Sequence, residues 1–137
     1  MSIHVLKLGG GAGIQHAPAL ANLARRVAGG EAWVLVHGCS DAANRLAEEQ
    51  GYPAQTLVSP NGHTSRYTDP RTLAIFCQAA ASVNFALVGE LVSLGAPAVG
   101  LIPNERGGAW CGQSAKALSA LSKMGGKSSS AMTIAAK

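Results

Sequence analysis

The sequence predicts an α/β domain with a mainly parallel sheet. Three observations carry that expectation. Short β-branched and apolar runs alternate with stretches whose apolar residues recur at three- and four-residue spacing. The first two runs each end in a glycine turn, GGGAG after Lys7 and HGCS after Val36. The second run, AWVLVHG (32–38), is also too apolar for a half-exposed antiparallel edge, as suits a covered parallel sheet.

In order along the chain, IHVLKL (3–8) reads as a buried strand closed by glycines. HAPALANLARRVAGG (16–30) is helical in its spacing of Leu20, Leu23, Ala24 and Val27, and a glycine pair ends it. AWVLVHG (32–38) is the second strand. SDAANRLAEEQG (40–51) is the second helix, with Ser40 placed to cap it and Gly51 to end it. In QTLVSPNGHTSRYT (55–68) two strand-like runs flank Pro60-Asn61-Gly62, the signal of a hairpin. Asp69 then caps a long helix whose first residue is Pro70. Its apolar residues, from Leu73 and Phe76 to Leu91 and Leu94, keep helical spacing as far as Gly95. PAVGL (97–101) is a third buried strand. Beyond Leu101 the periodicity stops, and the serine- and glycine-rich residues 102–137 read as a disordered tail.

A chain of 137 residues is one domain's worth. Three widely spaced cysteines, Cys39, Cys77 and Cys111, suit free thiols in a reducing compartment better than a disulfide framework or a zinc site. Met1 leads straight into a strand with no basic and apolar leader, so a cytoplasmic protein is expected. No stretch is expected to span a membrane. The net charge of +4 is uneven: residues 1–101 balance six cations with six anions, whereas 102–137 hold five cations and one anion. No basic face is interleaved with aromatics, which argues against a nucleic-acid partner.

Two glycine turns at strand ends, each followed by a helix start, favour an anion site, because ligands gather there and free N–H groups face them. The spacing is not a dinucleotide fingerprint, since Gly9, Gly11 and Gly13 alternate and no acidic residue ends the second strand. Nor is the C-terminal GGKS a Walker loop, because position 121 is Leu where glycine is needed. Lys7 ends a buried run and either points its ammonium at an anion or reaches solvent. Arg66 sits between hairpin and helix, where it can fork onto a carboxylate or pair with Asp69. His37 ends its strand and can hydrogen-bond its own turn. The chain shows no metal-ligand spacing and no nucleophile–base pair.

VLKLGGGAG, VLVHGCSDAANRLAE, SPNGHTSRYTDPRTL and GAPAVGL together resemble the amino acid kinase family, in its acetylglutamate kinase branch, across nearly all of residues 1–101. The SRYTD wording is most similar to kinases acting on aminoadipate or glutamate attached to an amino-group carrier protein in lysine or arginine synthesis. The resemblance implies the N-terminal lobe of a three-layer αβα sandwich, with the C-terminal lobe missing. It implies ATP-dependent phosphorylation, with Mg2+, of a side-chain carboxylate to an acyl phosphate, a phosphotransferase with a carboxyl acceptor (EC 2.7.2.-). Lys7 would stabilise the transferring phosphoryl group, and Gly9, Gly10 and Gly11 would admit the phosphates. Gly38 and Cys39 would bind near the reacting carboxylate, and Arg66 would clamp the substrate's α-carboxylate. Full-length members are expected to form homo-oligomers. The alternatives are an acetylglutamate kinase of arginine synthesis and a non-catalytic substrate-binding fragment without ATP binding.

Two residues depart from the family pattern. Cys39 stands where a second glycine follows the histidine, so Cys39→Gly is expected to improve carboxylate binding. Phe85 follows Asn84 where lysine is usual. The adenine pocket and further catalytic residues of the family's second lobe are missing, so the chain alone is expected to be inactive. Read one base across, from the third base of Lys116, permitted codons of the tail spell G-A-I-R-V-V-E-N and later R-D-D-Y-S-G-K, as the family would continue. The tail is therefore expected to be an out-of-frame translation.

Overall fold

The computed structural model describes residues 2–102 and 132–135. Its elements are β1 (Ile3–Leu8), α1 (Ala17–Ala28), β2 (Ala32–His37), α2 (Ser40–Glu49), β3 (Thr56–Val58), β4 (Thr64–Arg66), α3 (Pro70–Ser93), β5 (Ala98–Leu101) and β6 (Met132–Ala135). The first eight stand in the expected order.

The main sheet runs β1-β2-β6-β5. β1 and β2 are parallel, from Ile3 opposite Ala32 to Leu8 opposite His37. β6 is antiparallel to both neighbours, with Ile134 between Val34 and Val99. The sheet is therefore mixed rather than mainly parallel, although β1, β2 and β5 point the same way. β6 also falls within the stretch expected to be disordered. A four-residue strand is too short to show a period in sequence, and its pairing is made by backbone groups that every residue carries. The remaining tail expectations, including the GGKS motif, fall outside the described residues.

One face of the sheet carries the core. Leu20, Leu23, Ala24 and Val27 of α1 meet Leu8 and Leu35 of the sheet, together with Leu87, Leu91 and Ala96. Fully burying one such leucine contributes roughly 1.5–3 kcal/mol, so this cluster fixes α1 and α3 on the same side. α2 packs along α3. By strand alternation Ile3, Val5 and Val99 face the other way, and they are 48, 47 and 43% exposed. No described helix forms the third layer over that face.

Helix starts are made in different ways. The Asp69 carboxylate accepts from Thr72 N–H at 2.7 Å and Pro70 opens α3, as expected. At α2 the cap position belongs to Cys39, and Ser40 is the first helical residue, contrary to the expected Ser40 cap. No side chain caps that end. Instead the Gly10 carbonyl, from the other glycine turn, accepts from Asp41 N–H at 2.8 Å and satisfies one of the orphan donors. Gly51 follows the helix in the left-handed region, at φ 64°. The hairpin closes as expected, with Ser59 N–H donating to His63 O at 2.8 Å and Gly62 at φ 76°.

α3 is more continuously apolar than the sequence reading allowed. At 24 residues, with a mean hydropathy of 1.6 over its most apolar 18-residue window, it is long and apolar enough by length and composition to cross a membrane. Its hydrophobicity also serves packing: Ile75, Ala79, Ala80, Leu87 and Leu91 are buried, and so is Asn84.

Candidate functional site

The two glycine turns are in contact. A Cβ on Gly10 would fall inside the Gly38–Cys39 peptide, and one on Gly38 would lie 2.9 Å from Gly10 N. Gly38 N–H donates to Leu8 O at 3.1 Å, which continues the β1–β2 ladder one residue past the strands. These two glycines are thus required by close backbone approach rather than by turn conformation. The His16 ring donates from Nε2 to Gly9 O at 3.0 Å and steadies the first turn from outside. Gly10, Gly11, Gly38 and Cys39 line an open cleft of about 310 Å³, flanked by Asp41 and Arg45 of α2.

The structure divides the candidate residues. Gly9, Gly10, Gly11, Gly38 and Cys39 are brought together. Lys7 is exposed, lies opposite Val36 in the ladder and does not line the cleft. By alternation with Leu6 and Leu8 it sits on the other face of the sheet. Arg66 also lies outside the cleft lining. Its Nη2 donates to Asn44 Oδ1 at 2.5 Å and to Ser40 O at 3.5 Å, and its guanidinium carbon stands 6.0 Å from the Phe76 ring centre. The competing Arg66–Asp69 ion pair does not form: the Asp69 carboxylate is taken by Tyr52 Oη, 2.5 Å away, and by Thr72 N–H.

Cys39 occupies the glycine-like position without strain, at φ −140° and ψ 24°. Its side chain is buried against Ala80, with Phe76 and Val83 beside them. It therefore packs toward α3. Burial pushes the thiol above its ordinary pKa, partly offset by the Arg66 charge, while Cys77 raises it further. Cys39 is thus a packed, protonated thiol rather than a poised nucleophile.

Sequence reasoning missed how the second turn is supported. His37 is fully buried, and Nδ1 lies 3.4 Å from Gly38 O. Asn84, 2% exposed, places Nδ2 3.3 Å from His37 Nε2. Desolvation lowers the His37 pKa, which keeps the ring neutral. The available signal was a polar residue, Asn84, between the core-facing positions Val83 and Leu87 of an apolar helix.

Contacting glycine turns at the ends of two parallel strands, each leading toward a helix, are the layout of an α/β domain that takes ligands at its strand ends. Known proteins make the class more specific. The chain is 46% identical over 98 residues to a LysW-aminoadipate kinase of Deinococcus radiodurans, covering 71% of this chain and 34% of that protein. It is 40% identical over 98 residues to a LysW-aminoadipate kinase of Thermus thermophilus, covering 71% and 36%. It is 32% identical over 94 residues to a LysW-aminoadipate/LysW-glutamate kinase of Metallosphaera sedula, covering 69% and 36%. Over this stretch the chain is a homologue of these kinases. It spans about a third of the length of these relatives. No family model matches the chain.

Proposed function

We propose that residues 1–101 are the substrate- and phosphate-binding lobe of a kinase that phosphorylates the side-chain carboxylate of aminoadipate, or glutamate, held on a carrier protein in lysine or arginine synthesis. The observation that carries this reading is the contact of the Gly10 and Gly38 turns beside the start of α2. Bare backbone on both sides lets an anion approach N–H groups closely. The names of the relatives favour the carrier-linked substrate over free acetylglutamate.

In this reading ATP supplies the phosphoryl group when bound. Gly9, Gly10 and Gly11 would receive its phosphates, and Lys7, at the end of the strand that leads into them, would neutralise charge on the transferring group. The Gly38 and Cys39 amides face the reacting carboxylate, and Arg66 takes the α-carboxylate. Positioning and electrostatics do most of the work in such transfers. No group of three or more His, Cys, Asp or Glu among the described residues could hold a metal, so Mg2+ would arrive on the nucleotide phosphates. Lys7, the proposed phosphoryl-stabilising group, lies outside the cleft lining, which favours binding without turnover by this chain alone. Phe85 and Val92, exposed and seven residues apart on α3, suit self-association, and the half-exposed Ile3, Val5 and Val99 suit a third layer. A cytoplasmic setting follows from the biosynthetic role.

Residues from about 102 onward are proposed to be an out-of-frame translation, consistent with similarity confined to about 98 of 137 residues. The gene's nucleotides test this directly; failure of the shifted frame to spell the kinase continuation overturns it. The functional reading is tested by titrating the full chain separately with L-glutamate, 2-aminoadipate and ATP–Mg2+, following backbone amides by NMR. Shifts at Gly38, Cys39 and Arg66 with either amino acid are expected. Saturating amino acid that leaves all three unmoved overturns the reading.

A further inference from the structure

We propose that Asn84 and His37 form a positioning device that sets the orientation of the Gly38–Cys39 peptide. Gly38 O can only accept, so the facing His37 Nδ1 must carry the ring proton. In a neutral ring Nε2 is then bare and can only accept, which requires Asn84 to present its NH2 group, as it does at 3.3 Å. The two hydrogen bonds thus specify one tautomer and one ring orientation.

The neighbouring chain enforces the same arrangement. A Cβ on Gly100 of β5 would collide with Asn84 Oδ1 and lie 3.2 Å from Val88 Cγ2. Glycine at position 100 therefore lets the Asn84 amide sit flat against β5 with its NH2 toward β2. Three elements meet at one side chain: α3 through Asn84, β2 through His37 and β5 through Gly100.

The consequence falls on the second glycine turn. In a trans peptide the carbonyl and the N–H point in opposite directions. Holding Gly38 O on the His37 side directs the Cys39 N–H away from it, and the Gly38–Cys39 peptide packs directly on Gly10. Asn84 and His37 touch no ligand in this account; they act through the peptide. That this peptide then serves a carboxylate rests on the functional reading above, whereas the tautomer and the orientation do not.

The test uses the full chain with 15N-labelled histidine and backbone amides. Long-range 1H–15N spectra of the wild type are expected to show His37 protonated at Nδ1 and bare at Nε2 at neutral pH. A ring protonated at Nε2, or at both nitrogens, overturns the proposal without any variant. Asn84→Leu, of similar volume, is expected to lose the single-tautomer signature and to shift the Gly38 and Cys39 amides, with Leu20 and Leu23 unmoved. Glutamate affinity is expected to fall about fivefold, the size expected for one neutral hydrogen bond. A folded Asn84→Leu protein whose Gly38 and Cys39 amides do not move also overturns the device. Wild type with the expected tautomer and no glutamate binding leaves the device standing and removes the functional reading.

Discussion

Arg66 donates to the side-chain oxygen of Asn44 at 2.5 Å, tying the end of the β3–β4 hairpin to the second turn of α2. A guanidinium has five donors in a rigid fork, so one bond to Asn44 orients the group and leaves others for a planar anion. Asn44→Ala is expected to weaken glutamate and 2-aminoadipate binding by roughly three- to tenfold, as loss of one charge-assisted hydrogen bond implies. Arg66→Lys should cost more, because an ammonium cannot form a bidentate pair. Calorimetric titration measures both, and unchanged affinity in Arg66→Lys would remove the proposed clamp.

Gly10→Ala tests the contact between the turns. Its Cβ would meet peptide backbone, which cannot swing aside as a side chain can. A destabilisation of about 2–4 kcal/mol is expected in urea unfolding, in the upper range for single substitutions. Gly13→Ala is the control: its φ of 77° carries strain, but nothing lies within 4 Å of the added carbon. About 1 kcal/mol is expected there.

The buried His37 makes stability depend on pH. Its pKa is lowered in the fold by desolvation. Near and below the ordinary histidine value of about 6.5 the unfolded chain therefore binds a proton that the folded chain does not. Stability is full above that value and falls as pH drops through it. Unfolding midpoints between pH 8 and 5 should show this decline, and His37→Gln should flatten it at the cost of lower stability throughout.

Phe85, 82% exposed on α3, is the most exposed large apolar side chain among the described residues. Phe85→Lys is expected to change folding stability by no more than about 0.5 kcal/mol. It should also reduce self-association, read as a lower weight-average mass in sedimentation. Unchanged mass would show that this face of α3 is not the sticky one.

The Cys39 side chain reverses one expectation drawn from sequence. Cys39→Gly was expected to help carboxylate binding by clearing space. The side chain instead fills a slot against Ala80 at a φ that any residue can adopt. Removing it should cost about 1–2 kcal/mol in packing and leave glutamate affinity unimproved in a calorimetric titration.

What the sequence made legible follows from the range of the forces involved. Strand and helix positions were readable because burial imposes a period on neighbouring residues, as with Leu20, Leu23, Ala24 and Val27. Asp69 and Pro70 were readable as a helix start because capping is local. The glycine turns were visible as turns, but their mutual contact was not, since Gly10 and Gly38 lie in separate βα units. Asn44 as partner of Arg66 was invisible for the same reason, and Asn84 stood out only as a polar residue in an apolar helix, with nothing local to name His37 as its partner. Pairing of polar side chains across elements leaves no periodic trace.

β6 has a kinetic consequence. Val5 and Val34 pair across a short intervening helix, but Val34 meets Ile134 a hundred positions further along. Closing so long a loop costs entropy before any contact compensates, and non-local pairing of this kind slows folding. β1, β2 and α1 can assemble early on local contacts. Among the described residues the strand neighbour of β5 in the main sheet is β6, so its strand pairing waits for residues 132–135. Until then the edges of β2 and β5 that β6 covers stay open, and the time spent in that state sets the chain's exposure to pairing with other chains.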